Sequence, residues 1–247
     1  MVNTFITTYP LEEAIVDIDT RRLGKQRVEA QQILTAILNA HAIAKLYDFG
    51  ECPKGKTPED DIKREEWYKS VYTRYKTKDK IYRSETTEDY SLLKTEKCSK
   101  IVSSGFAMHP MTVMWVGYED GLRYYINLCI LEWIRRGYKN NMKLHVILLE
   151  SDEELNLPWW IKCKAFHNSN CSALLRKEKY RHESLWYWNI PHIKNIYGTK
   201  WYYSGYLWIN HLSLEDRLKL YEYTYECQDF KEDYTRMCAT INNDFPV

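Results

Sequence analysis

Arg21, Arg22, Lys25, Gln26, Arg27 and Glu29 crowd into one short run near the start of the chain, Arg21-Arg22-Leu23-Gly24-Lys25-Gln26-Arg27-Val28-Glu29-Ala30. On a helix, Arg22, Lys25, Gln26 and Glu29 fall within about 100° of arc, and Leu23, Ala30, Leu34 and Ile37 occupy a separate apolar arc roughly a quarter-turn away. A single carboxylate among cations on a rigid element suits acid/base chemistry on a polyanion: the cations hold the phosphates and the carboxylate carries the proton. The same spacing also suits a solvated helix face knit by i,i+4 pairs, and spacing alone favours that plainer reading. A second polar group, Phe166-His167-Asn168-Ser169, precedes Cys171-Ser172-Ala173-Leu174-Leu175-Arg176-Lys177. It reads as a capped helix start with a basic end, a place that binds phosphate well and is equally an ordinary cap.

Several elements must position these residues. Leu11 to about Leu46 is rich in Ala, Gln and Leu and keeps apolar residues at helical spacing, with Asp19 or Thr20 placed to cap a fresh start at Arg21. Gly24 is a weak point inside it. Residues 50–104 are charged, poor in Leu and Val and broken by Pro53, Gly55 and Pro58, with a short helix expected over Glu59 to Lys76. They read as an insertion or excursion from the core. After His109-Pro110 a long amphipathic helix is expected, its apolar positions running from Met114 to Trp133 and its stop at Arg135-Arg136-Gly137. Leu155 to Trp160 reads as an extended connection, Trp186 to Trp208 is aromatic and basic, and Ser213 to Tyr225 reads as a last helix. Leu144 to Leu149 is the best strand candidate. The fold class is mainly α. Its helical core is expected over 1–49 and 105–210, with the charged insertion over 50–104 and an acidic C-terminal extension over 211–247.

Composition sets the outer bounds. The chain of 247 residues is long enough for a core that needs no staples, and its formal charge of +1 argues against strong non-specific binding to a polyanion. The distribution is uneven. Lys162 to Lys200 holds eight Lys/Arg against two Asp/Glu, a balance of +6, and Leu212 to the end holds four against eight, a balance of −4. The seven cysteines are scattered without a CxxC pair, which reads as reduced thiols in a cytosolic or nuclear-type compartment. A zinc site from Cys163, His167 and Cys171 is a minor alternative to three structural residues. With no N-terminal apolar leader and no apolar run of membrane-spanning length, the protein is expected to be neither secreted nor membrane-bound. The 21 tyrosines carry little weight, because a coding sequence rich in A and T yields the same composition.

Taken in order, these segments resemble the pyrimidine-dimer DNA glycosylase family, most closely its larger bacterial-type branch, related to a small bacteriophage dimer-excising endonuclease. The resemblance is carried by Asn3-Thr4-Phe5, by Asp19 to Leu34, and by His109-Pro110 through Met114-Trp115-Val116-Gly117-Tyr118-Glu119. It continues in Glu132-Trp133-Ile134-Arg135-Arg136-Gly137-Tyr138, Pro158-Trp159, and Phe166-His167-Asn168-Ser169 through Lys177. It implies a compact helical glycosylase coupled to an abasic-site lyase, excising pyrimidine dimers or another altered base from double-stranded DNA; a monomer with no cofactor or metal is expected. In the family prototype the initiator Met is lost and the new N-terminal amine attacks C1′ of the damaged nucleotide, assisted by a glutamate on the first long helix. Carried over, Val2 supplies the amine and Glu29 the carboxylate. An alternative register puts Gln26 near the catalytic position, where an amide could not shuttle protons. The resemblance assigns DNA contact to Arg21, Arg22, Lys25, Gln26, His167, Asn168, Ser169, Arg176 and Lys177. It extends to Trp201 and Tyr202, in a segment similar to the prototype's aromatic C-terminal end. A binding module that grips distorted or modified duplex DNA without catalysis is the alternative function.

Overall fold

The computed structural model describes residues 4–85, 106–147, 155–179 and 207–226, and among these it is helical, with no strand. The helices are α1 (Leu11–Asp17), α2 (Thr20–Tyr47), α3 (Pro58–Glu85), α4 (Pro110–Met114), α5 (Glu119–Arg135), α6 (Lys164–Lys179) and α7 (Leu214–Glu226), with single 3-10 turns at Trp159–Lys162 and Ile209–His211. The chain divides into two units, one of residues 1–4 and 24–158 and the other of residues 5–23 and 159–247. The mainly α expectation therefore holds. Leu144 to Ile147, the described part of the expected strand, is irregular.

In the unit of residues 24–158, α2 buries Ala30, Ile33, Leu34, Ile37 and Ala40, and α3 buries Tyr68, Val71, Tyr72 and Tyr75. Burying each large aliphatic side chain among these contributes about 1.5–3 kcal/mol relative to leaving it in water. Polar ends are satisfied on the way: the Tyr72 hydroxyl donates to the Ala36 carbonyl at 2.9 Å, and the Tyr68 hydroxyl to that of Ala107 at 2.8 Å. Asp48, in the left-handed region at φ 52°, ends α2, and the Phe49 N–H returns to the Ala44 carbonyl. Helix α3 is longer than expected and is well anchored where its side chains are described.

The single long helix expected after Pro110 is two helices. Between α4 and α5 the chain turns at Gly117, whose φ of +84° is open to glycine at little cost. A Cβ there would lie 2.2 Å from Cδ of Arg64, so the turn also needs the missing side chain for space. Arg64, 1 % exposed, is held by Asp61, by the Gly55 carbonyl and by the Tyr118 hydroxyl, and its guanidinium lies over the Tyr118 ring. Beside this knot Glu119 accepts from the Gly117 N–H at 3.0 Å and meets His41 Nε2 at 3.1 Å. Helix α5 ends as expected at Gly137, in a Schellman closure: the Gly137 N–H reaches the Ile134 carbonyl and the Tyr138 N–H the Trp133 carbonyl.

In the other unit, α1 and α6 bury Leu11, Ala14, Ile15, Phe166 and Leu174. Trp160 meets Phe166 edge-on at 4.9 Å, and Trp159 meets Tyr221 of α7 at 5.6 Å. Ser213 caps α7, the last helix expected from the sequence, by accepting the Asp216 N–H. The helix expected to begin after Ser169 begins earlier, at Lys164, so Phe166 to Ser169 lie inside α6 and not at its cap. The free cysteines among the described residues are Cys52, half-buried, and Cys129, Cys163 and Cys171, all buried. No described helix is long and apolar enough to cross a membrane, and no group of described His, Cys, Asp and Glu side chains could hold a metal ion.

Candidate functional site

Helix α2 starts where the sequence predicts. Asp19 accepts the Arg22 N–H at 3.2 Å and pairs with the Arg22 guanidinium at 2.7 Å, which draws that arginine back onto the cap. Arg21 and Lys25 are exposed. Gln26 is 1 % exposed, and its amide is fixed at both ends: Oε1 accepts from the Tyr125 hydroxyl at 2.9 Å, and Nε2 faces Glu29 Oε2 at 3.4 Å. Glu29 itself is half-buried. Gln26 is thus an interior residue that orients its neighbour, and the resemblance's DNA-contact role for it does not suit that position.

The network continues away from α2. The Tyr125 ring lies 6.3 Å from that of Trp115, whose indole N–H donates to Thr4 Oγ1 at 3.0 Å. Thr4 is fully buried and donates in turn to the Met111 sulfur at 2.9 Å. Thr4, Trp115, Tyr125, Gln26 and Glu29 all belong to one unit. The start of the described chain is therefore tied through two aromatic side chains to the amide that faces the helix carboxylate. Sequence reasoning placed Trp115 and Tyr125 only on an apolar helix face; nothing in the spacing signals that their polar tips serve residues about a hundred positions away.

Arg27 is half-buried. Its guanidinium lies 4.5 Å from the centre of the Trp133 ring and donates to Asn140 at 3.1 Å. Trp133 itself rests against α2 because residue 24 is glycine: a Cβ there would lie 2.9 Å from the indole ring. One turn further on, Gln31 meets His145 at 2.7 Å, and Asn127 pairs with the His145 backbone through two bonds of 2.8 Å. These contacts lay the irregular segment after α5 along α2.

The second predicted cluster is turned inward. His167 is 3 % exposed, and its Nε2–H donates to the Ile161 carbonyl at 2.6 Å. Burial first, and then the charge of Lys164, push its pKa down to about 4 against the pull of that carbonyl. Ser169, also buried, donates to the Phe166 carbonyl and accepts the Leu207 N–H. Neither is presented to a ligand, because both sit inside a helix with their side chains buried rather than opening one. Asn168 is half-buried, and Arg176 and Lys177 fall on α6. Val2, Trp201 and Tyr202 lie outside the described residues.

These features define a helical protein whose first long helix carries a fixed amide–carboxylate pair tied to buried Thr4. A family model described as pyrimidine dimer DNA glycosylase matches residues 2–146, more than half of the 247 residues. The chain belongs to the pyrimidine dimer DNA glycosylase family. The match takes in α1 to α5 and ends just past His145; α6 and α7 lie beyond it. No curated protein and no solved structure matches.

Proposed function

We propose that this protein is a glycosylase and abasic-site lyase that excises pyrimidine dimers from duplex DNA through an imine on its N-terminal amine. The observation that carries the reading is the connected path from buried Thr4 through Trp115, Tyr125 and Gln26 to Glu29. Val2 and Asn3 precede Thr4, so an amine on Val2 is tethered within roughly 7 Å of it. An α-amine has a pKa near 8, so a useful fraction is neutral and nucleophilic at physiological pH.

The bond between the amine and C1′ forms as the glycosidic bond breaks; the amine gives up a proton and the base leaves protonated. Glu29 delivers a proton to the ring oxygen as the sugar opens to the imine. It then takes the C2′ proton as the 3′ phosphate leaves. A half-buried carboxylate can both give and take a proton, which supports the reading. Extruding a nucleotide costs a few kcal/mol, least at a damaged site, which supplies part of the selectivity.

Borohydride trapping on duplexes with and without ultraviolet dimers tests the reading, together with the mass of the N-terminal peptide. The expected result is a covalent adduct on irradiated DNA alone, mapped to a peptide that begins at Val2. Tight binding with no adduct on dimer or abasic-site DNA overturns it in favour of a non-catalytic binding module, the outcome foreseen if Gln26 occupies the position of the prototype's carboxylate.

A further inference from the structure

We infer that the closure after α5, centred on Tyr138 and continued by Lys139 and Lys143, is a second DNA-docking surface, separate from the Arg21–Glu29 run. It rests on the glycosylase reading above. The Schellman turn stacks Tyr138 on Trp133 with ring centres 4.4 Å apart and 27° between planes. Helix capping accounts for that stack. It does not account for what surrounds it. Tyr138 stays 45 % exposed, and Arg27 adds a guanidinium over the same indole. Along residues 132–147 the only acidic side chain is Glu132, against Arg135, Arg136, Lys139 and Lys143, a balance of +3.

Glu132 is engaged by both arginines, yet Arg135 remains 66 % exposed, and Lys139 and Lys143 are exposed. The acidic residues next in the sequence, Glu150, Asp152, Glu153 and Glu154, lie outside the described residues. The segment is irregular but held, by Arg27 to Asn140 and by Gln31 and Asn127 to His145, so its backbone needs no ordering on binding. An exposed ring on a rigid aromatic support, flanked by cations with an alternating apolar edge at Leu144 and Val146, fits a nucleic-acid backbone with a base or sugar laid on the ring. The occupant is duplex DNA, with Lys139 and Lys143 on phosphates and Tyr138 against the sugar–base edge.

The test uses the full chain and a fluorescent duplex, with and without one dimer, over a salt series. Lys139→Ala/Lys143→Ala is expected to weaken binding to both duplexes and to lower the salt slope by about 2, close to one for each phosphate that the two lysines would neutralise. Tyr138→Ala is expected to weaken binding about fivefold, and Tyr138→Phe to restore it. Wild-type affinity and slope in the lysine variant overturn the surface, as does a Tyr138→Ala variant whose melting temperature falls while its affinity holds. Failure of the two ideas separates cleanly: a wild-type protein that binds but never excises sinks the glycosylase reading alone, and a duplex affinity and salt slope that do not depend on Lys139 and Lys143 sink the surface alone.

Discussion

Exchanging Glu29 for Gln keeps the shape of the side chain and removes its proton, so Glu29→Gln is expected to abolish strand cleavage while duplex affinity stays within about twofold. Gel resolution of nicked dimer-containing DNA beside an equilibrium binding curve checks both halves, and normal cleavage would remove Glu29 from the mechanism. Gly24 carries a second prediction. Gly24→Ala gains about 1 kcal/mol of helix propensity, but the new Cβ must displace the Trp133 ring from 2.9 Å. The melting temperature is expected to fall despite the better helix former; a rise of several degrees would show that the ring moves aside freely. The arc holding Gln26 and Glu29 was legible in the sequence because helical periodicity is local. The partner of Gln26 was not, since Tyr125 stands 99 positions away and its hydroxyl looks, in the sequence, like one more position on an apolar stripe. Gly24 was visible only as a weakness; that it makes room for an indole could not be read from either residue alone.

At the scale of elements, the knot of Asp61, Arg64 and Tyr118 joins α3 to the turn between α4 and α5. Arg64→Ala would leave the Asp61 carboxylate buried without its cation, at a cost of about 3–5 kcal/mol in urea unfolding. Adding Asp61→Asn is expected to recover part of that stability, because the uncompensated charge is then gone. Equal stability of the single and double variants would show that Arg64 acts through packing alone. The division of the segment after Pro110 into two helices was hidden in the sequence. The apolar period runs on through Met114, Trp115 and Tyr118, and only Gly117 interrupts it, with a backbone angle no spacing reveals. The same holds for α6. Asn168 and Ser169 are typical cap residues, and the earlier start at Lys164 comes from packing of Phe166 on Trp160 rather than from any capping signal.

Over the whole molecule, acid should act on both units, each through its own buried group. His167 has a pKa of about 4 in the folded state, and an unfolded histidine titrates near 6.5. Between those values the unfolded chain binds the extra proton, so the stabilisation is complete above about pH 6.5 and is lost as pH falls toward 4. Glu119 adds a lower window. Burial works against its charge, but His41 and the Gly117 N–H outweigh it and hold the carboxyl below its usual range. Its contribution is present above about pH 4.3 and lost as pH drops through the folded value. Urea midpoints measured from neutral pH downward should decline first in the histidine window, and His167→Gln should flatten that part of the profile. The helical class was legible from composition and period together. The grouping of the chain was not, because its boundary falls at Gly24 inside one continuous helix, where no proline, linker or change of composition marks it. The buried thiols have a practical consequence. Burial holds Cys129 in one unit, and Cys163 and Cys171 in the other, above the ordinary thiol range. An alkylating reagent therefore reaches each only when its own surroundings open, so the labelling rate of each cysteine is a clock for the breathing of its own half of the chain.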